Sequence, residues 1–411
     1  MSQEFESVTR YTMQLSRKPI YLDYNATTPL DPDVVKAMRP YFEERFGNPS
    51  SSHQYGRTSK EAVEKARNQV ASLISAAPEE IVFTGGGSES DNTAILGVAL
   101  ASMGRNRKIS NNGHIITSRI EHPAVLESCK YLEGRFGFKV TYLHVDKYGS
   151  INPNQVRDAI TGDTILITIM HANNEVGTIQ PTEEIGKIAR ENKVLFHIDA
   201  AQSCGKIDVD VNKLNVDLLT IAGHKMYAPK GIGALYIRKG VKIDSYIHGA
   251  GHESGRRAGT ENVPYIVGLG AASGIAKKAL PSFGLRIKTM RDKLHANILE
   301  GIGEKKTRLN GHPENRLSNT LNISIQGQIG EELLGRIPEI AASTGSACHS
   351  GLFKPSNVLL EMGLSEKEAL GALRLSLGRW TNENEVEIAS KLIVERHIET
   401  GHARQSATHL G

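Results

Sequence analysis

Short apolar runs alternate with helical patterns along the first two thirds of the chain. The runs are rich in β-branched residues and read "EEIVFTG", "HIITSRI", "TILITIM", "KVLFHID", "VDLLTIAG" and "GALYIRKG". Segments such as "TEEIGKIAREN" lie between them and have the spacing of a surface helix. Strands that are apolar throughout are buried on both faces, so this alternation predicts a mainly parallel sheet covered by helices on both sides. The pattern therefore predicts an α/β fold.

The pattern changes near residue 270. A long helical stretch, "GIAKKALPSFGLRIKTMRDKLHANILEGI", begins there, and we expect Pro281 to interrupt it. The strand-like run "NTLNISI" and two further helical patterns follow. We predict a large α/β domain over residues 19–270 and a smaller α+β domain over residues 271–400, with residues 1–18 joining the small domain.

Composition and charge exclude several classes of partner. The chain has 411 residues, 39% of them hydrophobic and 23% charged, which suits a soluble globular protein with room for two domains. Its net charge of +4 comes from interspersed residues of both signs, unlike the concentrated basic face of nucleic-acid-binding proteins. The longest apolar run, "TAILGVALASM", is too short to cross a bilayer. We therefore predict neither a nucleic-acid nor a membrane partner.

The cysteines and the N-terminal segment bear on the cellular compartment. The three cysteines, Cys129, Cys204 and Cys348, form no C-x-x-C pair, so a disulfide framework or a cysteine-rich zinc site is not expected. We predict no metal centre. Residues 1–18 mix acidic and basic side chains and lack the apolar region of a signal peptide. These features favour a reducing, cytoplasmic location and leave an organellar one open.

A glycine-rich turn follows the first apolar run. In open α/β sheets, ligands bind beyond the carboxyl ends of the strands. After "EEIVF" comes "TGGGSESDN" and then a helical pattern, so backbone N–H groups and the helix dipole could hold a phosphate there. The same turn is equally typical of a tight connection. Its spacing matches neither a Walker loop nor a dinucleotide fingerprint.

Two charged residues come at the ends of two other strand runs. Asp199 ends "KVLFHID" with Gln202 three positions later, and Lys225 follows "VDLLTIAG" directly behind His224. Alone, such an aspartate is usually a helix cap and such a lysine a solvated charge. Together, a lysine that can form a Schiff base and an aspartate that can pair with a protonated pyridine nitrogen indicate different chemistry. With the phosphate turn they make the three contacts that pyridoxal phosphate needs.

A histidine extends this pattern to a known family. His122 of "EHPAV" follows "HIITSRI" and is either an ordinary loop residue or an imidazole that stacks on a pyridine ring. The order of these motifs closely resembles the cysteine desulfurase and selenocysteine lyase family, a class V aminotransferase group of fold-type I pyridoxal-phosphate enzymes. The resemblance covers nearly the whole chain, through "YLDYNATTPL", "GNPSSSHQYGR", "FTGGGSESDN", "EHPAV", "ANNEVG", "HIDAAQ", "GHKMYAPKG", "RRAGTEN", "GSACHS" and "LRLSLGRW".

The resemblance implies a role for each matched residue. Lys225 would bond covalently to the cofactor, Asp199 would pair with the pyridine nitrogen, and His122 would stack on the ring. The other implied cofactor contacts are Asn174 and Gln202 near the ring hydroxyl, Gly87, Ser88 and His224 at the phosphate, and Thr260 reaching that phosphate from the second subunit of a homodimer. Asn25 and Arg374 would hold the substrate carboxylate, and the arginine suits bidentate binding.

Two positions depart from the family pattern. Ser88 stands where threonine is common, and it keeps a hydroxyl. Ala222 stands where serine is common, two residues before His224, so we expect one phosphate contact to be lost and the cofactor to be held less tightly.

Cys348 lies in a segment whose composition is unusual for a structural cysteine. The stretch "AASTGSACHSGLFKPSN" surrounds it with small and polar residues, whereas a packing thiol normally has bulky apolar neighbours. By resemblance, Cys348 is the nucleophile on a loop of the small domain. It would take sulfur from L-cysteine as a persulfide, leave L-alanine, and pass the sulfur to an acceptor such as an iron-sulfur scaffold protein. His349 or the cofactor's surroundings would help to ionise it; Cys129 and Cys204 read as packing residues.

Other functions remain as alternatives. Selenocysteine lyase would use the same scaffold on L-selenocysteine; "ACHS" and Ala222 favour it, whereas "EHPAV" and "NNEVG" favour a desulfurase. A catalytically inactive binding scaffold would lack Lys225 or Asp199, and a nucleotide-binding oxidoreductase would need a dinucleotide fingerprint. The sequence therefore predicts a cysteine desulfurase, with selenocysteine lyase as the alternative.

Overall fold

The computed structural model describes residues 18–105, 113–345 and 354–408, with side chains described up to residue 399. Its strands are β1 (Ile20–Tyr21), β2 (Ile81–Thr84), β3 (His114–Ser118), β4 (Lys139–Leu143), β5 (Thr164–Met170), β6 (Leu195–Asp199), β7 (Leu218–Ala222), β8 (Gly233–Ile237), β9 (Thr307–Asn310), β10 (Thr320–Ile325), β11 (Ile340–Ala341) and β12 (Ala372–Ser376).

The helices of the described residues lie between these strands. They are α1 (Pro32–Met38), α2 (Pro40–Glu43), α3 (Gln54–Leu73), α4 (Gly87–Arg105), α5 (Pro123–Phe136), α6 (Pro153–Ala159), α7 (Thr182–Glu191), α8 (Val263–Ile302), α9 (Gly330–Gly335), α10 (Asn357–Glu361), α11 (Glu366–Leu370) and α12 (Glu383–Thr408). None of the helices in these ranges is long and apolar enough to cross a membrane.

Seven strands form the central sheet in the order β2–β8–β7–β6–β5–β3–β4. The pairs from β7 through β6, β5 and β3 to β4 are parallel, and β8 runs antiparallel to both of its neighbours. All six predicted apolar runs are strands of this sheet, so the predicted fold class is confirmed. The sequence analysis missed β4, because Lys139 is exposed and the next three residues are only half-buried.

Apolar clusters cover both faces of the central sheet. Phe83, Phe196 and Tyr236 belong to the larger cluster on one face, and Val82, Ile115 and Leu235 belong to the cluster on the other. Because consecutive strand residues point to opposite faces, a strand buried on both sides must be apolar throughout. This is the physical basis of the runs seen in the sequence.

Helix α8 continues through Pro281 instead of ending there, so the expected interruption is wrong. Proline removes one backbone hydrogen bond, but burial on both sides of it outweighs that loss. Before the proline, Leu269 and Ala276 pack in the cluster on the central sheet. After it, Phe283 and Ile287 pack in a separate cluster. The helix thus crosses the predicted domain boundary at residue 270, and the division into two domains stays a prediction.

The separate cluster packs on a three-stranded antiparallel sheet of order β12–β10–β9. Leu22, which follows β1, joins this cluster, and β1 pairs in parallel with β11. A chain segment near residue 20 is therefore attached to the C-terminal part, and the expectation that residues 1–18 join the small domain stays a prediction. Of those eighteen residues, only Lys18 is among the described ones.

Gly378 offers a test of packing where the two parts meet. A Cβ added there would overlap the ring of Tyr24, which is buried and lies 6.2 Å, centroid to centroid, from Tyr227. We expect Gly378→Ala to lower the free energy of unfolding by about 1–3 kcal/mol, because the ring and the backbone must shift. Thermal unfolding would measure the change.

A glycine in open surroundings provides the matched control. In α5, a Cβ at Gly134 would meet nothing within 4 Å. We expect Gly134→Ala to be neutral or stabilising by up to about 1 kcal/mol, since alanine is the better helix former. Equal melting temperatures for the two variants would contradict the packing account of Gly378.

Candidate functional site

A cavity of about 310 Å³ lies at the carboxyl ends of the central strands. Met170 ends β5, Asp199 ends β6 and Ala222 ends β7, and all three line the cavity. The structure brings ten of the predicted site residues to its wall: Asn25, Gly87, Ser88, His122, Asn174, Asp199, Gln202, His224, Lys225 and Arg374. The rule that ligands bind at this edge of an α/β sheet explains why residues so far apart in sequence meet there.

Lys225 is placed by a single turn of 3₁₀ helix, Gly223–Lys225, directly after β7. Its Nζ donates hydrogen bonds to the carbonyl oxygens of Asn25 and Ala26, each at 2.7 Å. Burial and the nearby Arg374 guanidinium lower the pKa of Lys225 to about 8, although Asp199 and Asp23 oppose that shift. A larger fraction of the amine is therefore neutral near pH 7 than for an ordinary exposed lysine, which suits a nucleophilic lysine.

Asp199 is buried at the end of the neighbouring strand. Its Oδ1 accepts a hydrogen bond from the backbone N–H of Ala201 at 2.9 Å. Burial nevertheless raises the pKa of Asp199, although that hydrogen bond and the charges of His122 and Lys225 favour the ionised form. The protein thus supplies too little positive charge for this carboxylate, and a cationic group bound in the cavity would stabilise it. A protonated ring nitrogen fits that need.

His122 caps the N-terminus of α5, and its Nδ1 accepts from the backbone N–H of Ala124 at 3.1 Å. The side chain is exposed and lines the cavity. Despite this exposure, the protein atoms around the ring desolvate it in part and lower the pKa of His122, which favours the neutral form. A neutral imidazole can stack on a ring and can accept or donate a proton.

The glycine-rich turn and His224 form the opposite wall. Gly87 begins α4, so backbone N–H groups of the first helical turn and the helix dipole favour an anion there. A Cβ on Gly87 would lie 3.2 Å from Cβ of Ala222, which leaves little room for a side chain. His224 Nδ1 lies 3.2 Å from Oγ1 of Thr27, and burial lowers the pKa of His224 to about 4. The backbone N–H groups of this turn and the neutral His224 can donate hydrogen bonds to a phosphate. Ala222 supplies no hydroxyl for a further hydrogen bond.

Arg374 lies on β12 of the three-stranded sheet and brings a guanidinium group to the cavity wall. Its Nη2 donates to Oδ1 of Asp23 at 2.9 Å, and its Nη1 donates to the carbonyl oxygen of Asn174 at 3.3 Å. The buried Nε has no hydrogen-bond partner within the described parts of the chain. A buried guanidinium N–H without a partner is costly, so the site is suited to an additional anion such as a carboxylate.

The side-chain amide of Asn25 is fully used by the protein. Its Nδ2 donates to the carbonyl oxygen of Asn174 at 3.1 Å and to Oγ1 of Thr320 at 2.9 Å. Its Oδ1 accepts from Asn319 at 2.9 Å and from Lys206 at 3.3 Å. To accept a hydrogen bond from Nδ2 of Asn25, a substrate carboxylate would have to displace the carbonyl oxygen of Asn174 or Oγ1 of Thr320. The role of Asn25 in substrate binding stays a prediction.

One predicted residue of the described ranges, Thr260, does not line this cavity. Thr260 is exposed and lies between Arg257, which pairs with Glu89 of α4 at 2.9 Å, and Glu261, which lines a different cleft of about 730 Å³. Its contact with the phosphate of a second subunit stays a prediction. Cys348 lies outside the described residues, and so does His349.

Sequence reasoning missed two ionisable residues at the site. Asp91 lines the cavity, and its buried Oδ1 lies 3.7 Å from Nε2 of His197 but has no hydrogen-bond partner within the described ranges. Helical spacing could have found it, because Asp91 stands four positions after Gly87 in α4. Lys206 is buried behind the cavity wall, four positions after Gln202. A lysine in a mixed turn sequence gives no signal of burial.

Comparison with known proteins places the chain in a family. The Aminotransferase class-V family model matches residues 20–388. The chain is 50% identical over 380 residues to a protein of Methanosarcina thermophila named cysteine desulfurase IscS, covering 92% of each chain. It is 46% identical over 386 residues to cysteine desulfurase IscS of Dictyoglomus turgidum, covering 93% of this chain and 95% of that protein.

Solved structures agree with the sequence matches. A NifS-like protein superimposes with a TM-score of 0.84 at 38% identity, covering 92% of this chain and 99% of the other. A structure of SspA in complex with cysteine gives a TM-score of 0.77 at 40% identity, covering 88% of this chain and 99% of the other. The predicted fold-type I architecture and the predicted family are thereby confirmed. The chain belongs to the class-V aminotransferase family and, within it, to the cysteine desulfurases of the IscS and NifS-like group.

Proposed function

We propose that the chain is a pyridoxal-phosphate-dependent cysteine desulfurase that converts L-cysteine to L-alanine. The sulfur passes as a persulfide of Cys348 to an acceptor protein, such as an iron-sulfur scaffold. One observation carries the proposal: the amine of Lys225 and the carboxylate of Asp199 face one cavity from adjacent strand ends, beside the glycine turn that opens α4. Pyridoxal phosphate, when bound, supplies the electron sink for bond cleavage next to the substrate amine.

Different residues around the cavity would bind the phosphate, the ring nitrogen and the substrate carboxylate. The turn at Gly87 and Ser88, with His224, would hold the phosphate, and Asp199 would keep the ring nitrogen protonated. Arg374 would bind the substrate carboxylate and so orient the substrate relative to Lys225 and His122. Lys225 and His122 are then the groups that can hold or move protons at the reacting carbon. The complex of the similar protein SspA with cysteine supports cysteine as the substrate.

The described flanks of the cysteine segment support a role for Cys348 at this site. Ser343 pairs through its backbone with Arg374, its carbonyl oxygen accepting at 2.7 Å, and Ser356 Oγ donates to Glu175 at 2.5 Å. Cys348 follows Ser343 by five positions. An extended chain of that length spans at most about 18 Å, and this sets the greatest distance at which Cys348 can lie from Ser343.

The defining experiment compares alanine release from L-cysteine and from L-selenocysteine by the protein loaded with pyridoxal phosphate. We expect alanine from L-cysteine in amounts that match the sulfide formed when a thiol reductant is present. Alanine from L-selenocysteine alone would favour the lyase instead. Alanine from neither substrate would overturn the proposal.

Asp199→Asn tests the electrostatic part of the site. The amide has the same shape but cannot stabilise a protonated ring nitrogen, so the electron sink weakens. We expect cofactor to bind while alanine formation from L-cysteine falls by at least about 100-fold, the scale for loss of a preorganised charge in an active site. The measurement is kcat, with cofactor content determined by visible absorbance. A variant of near-normal turnover would remove Asp199 from the proposed role.

A further inference from the structure

Lys206 is a buried lysine whose hydrogen bonds go to two residues of the proposed site. The side chain is only 7% exposed. Its Nζ donates to Oε1 of Gln202 at 2.8 Å and to Oδ1 of Asn25 at 3.3 Å. Both acceptors are uncharged amide oxygens, so no carboxylate of the described residues is a hydrogen-bond partner of this buried amine. A desolvated lysine is costly to keep unless its position serves a purpose.

Lys206 donates to the oxygen of each amide, and so it reinforces the orientation that backbone carbonyl acceptors favour at the nitrogen of each amide. The oxygen and the nitrogen of a side-chain amide have nearly the same shape, so hydrogen-bond partners decide its orientation. An ammonium group can only donate, and it therefore requires the oxygens of Gln202 and Asn25 to face it. A reversed amide would set N–H against N–H and would leave buried donors without acceptors.

This orientation extends to the lysine proposed to bind the cofactor. With its oxygen held by Lys206, Gln202 directs its Nε2 to the carbonyl oxygen of Asn25 at 2.9 Å. Lys225 Nζ donates to the same carbonyl oxygen at 2.7 Å. A continuous set of hydrogen bonds thus runs from Lys206 through Gln202 and Asn25 to Lys225.

The electrostatic setting is consistent with this arrangement. Burial, together with the charges of Lys225 and Arg374, lowers the pKa of Lys206 to about 7. Neutral lysine keeps two N–H groups, enough for its two acceptors, but its lone pair can also accept, so the protonated form enforces the amide orientation more strongly.

We propose that Lys206 is a positioning residue, which holds the amides of Gln202 and Asn25 in the orientation that the cofactor and substrate site requires. The proposal rests on the proposed function, because Gln202 and Asn25 matter only if cofactor and substrate bind in this cavity. Lys206 itself acts through these two residues, and no contact between Lys206 and the ligands is required.

Lys206→Met removes the N–H groups while keeping an unbranched side chain of similar length. We expect the dissociation constant for pyridoxal phosphate and the KM for L-cysteine each to rise about tenfold, the lower end of the effect of losing a partner that orients a binding group. Titration of the cofactor-free protein, followed by visible absorbance, measures the first quantity. Lys206→Gln, which keeps an N–H donor at shorter reach, should give a smaller rise in both.

A double-mutant cycle tests whether Lys206 acts through Gln202. If it does, Lys206→Met combined with Gln202→Met should bind pyridoxal phosphate within about threefold of Gln202→Met alone, because neighbouring residues in one network are not additive. Lys187→Met is the control, since Lys187 is an exposed lysine that pairs with Glu183 on α7 at 2.9 Å. We expect that control to leave both constants unchanged.

The outcomes separate this proposal from the proposed function. Wild-type protein that binds no pyridoxal phosphate, or releases no alanine, would count against the function itself. If the wild type is active, unchanged constants in Lys206→Met, or multiplicative losses in the cycle, would overturn the positioning role. Failure of both Lys206 variants to fold would overturn it as well and assign Lys206 to stability alone.

Discussion

Lys225→Ala is expected to abolish covalent attachment of pyridoxal phosphate and to lower alanine formation from L-cysteine by at least about 10³-fold, the scale for removing a covalent catalytic group. Lys225 is the lysine that lines the cavity in the described part of the chain, and its lowered pKa makes the free amine accessible. The structure offers no second amine at that wall within the described ranges, since Lys206 lies behind it. Borohydride reduction of the loaded protein followed by peptide mapping measures the attachment.

The mapping experiment has a clear contrary outcome. In the wild type, the reduced label should be found on the peptide that contains Lys225, and in Lys225→Ala it should be absent. Lys187→Ala, which changes an exposed lysine, should be labelled like the wild type. A label on another lysine of the wild-type protein would refute the assignment of Lys225.

Cys348→Ala should lower sulfur release from L-cysteine by at least about 100-fold, because a covalent nucleophile is lost. Cofactor binding and substrate binding should persist, since Lys225, Asp199 and Arg374 do not depend on the thiol. With L-selenocysteine we expect measurable lysis to remain, because the selenol is the better leaving group. Mass spectrometry of wild-type protein after brief exposure to L-cysteine should find extra sulfur on the peptide that contains Cys348.

The other two cysteines provide the matched control. Cys129 and Cys204 are buried, and burial raises the pKa of each thiol to about 12, so neither supplies a thiolate near neutral pH. Cys129→Ala should therefore keep sulfur release even if packing loss lowers its melting temperature. Extra sulfur found only on Cys129 or Cys204, or full activity in Cys348→Ala, would falsify the role of Cys348.

The local sequence predicted those strands that are buried on both faces, because their residues must be apolar throughout. The run "TILITIM" is buried at six of its seven positions and is β5, because a strand between two helical layers has no polar face. The exposed start of β4 shows the opposite case. A strand at the edge of the sheet is covered less completely, so fewer of its residues are apolar and the sequence pattern that predicts a strand is weaker. The antiparallel direction of β8 was not predicted, since a strand buried on both faces has the same apolar pattern in either direction.

Residue spacing along the chain was enough to predict the strand ends that carry chemistry, the glycine turn and the motif order that identifies the family. These features depend on the spacing of residues that are close together in the chain, so the sequence shows them directly. Packing between distant segments explains why α8 continues through Pro281, because the burial that outweighs a lost hydrogen bond comes from two separate clusters. It also decided that Lys206 is buried beside Asn25, a residue 181 positions away. Burial of a charge and the partner that orients an amide are properties of packing between distant segments, so they leave no trace in the pattern around either residue.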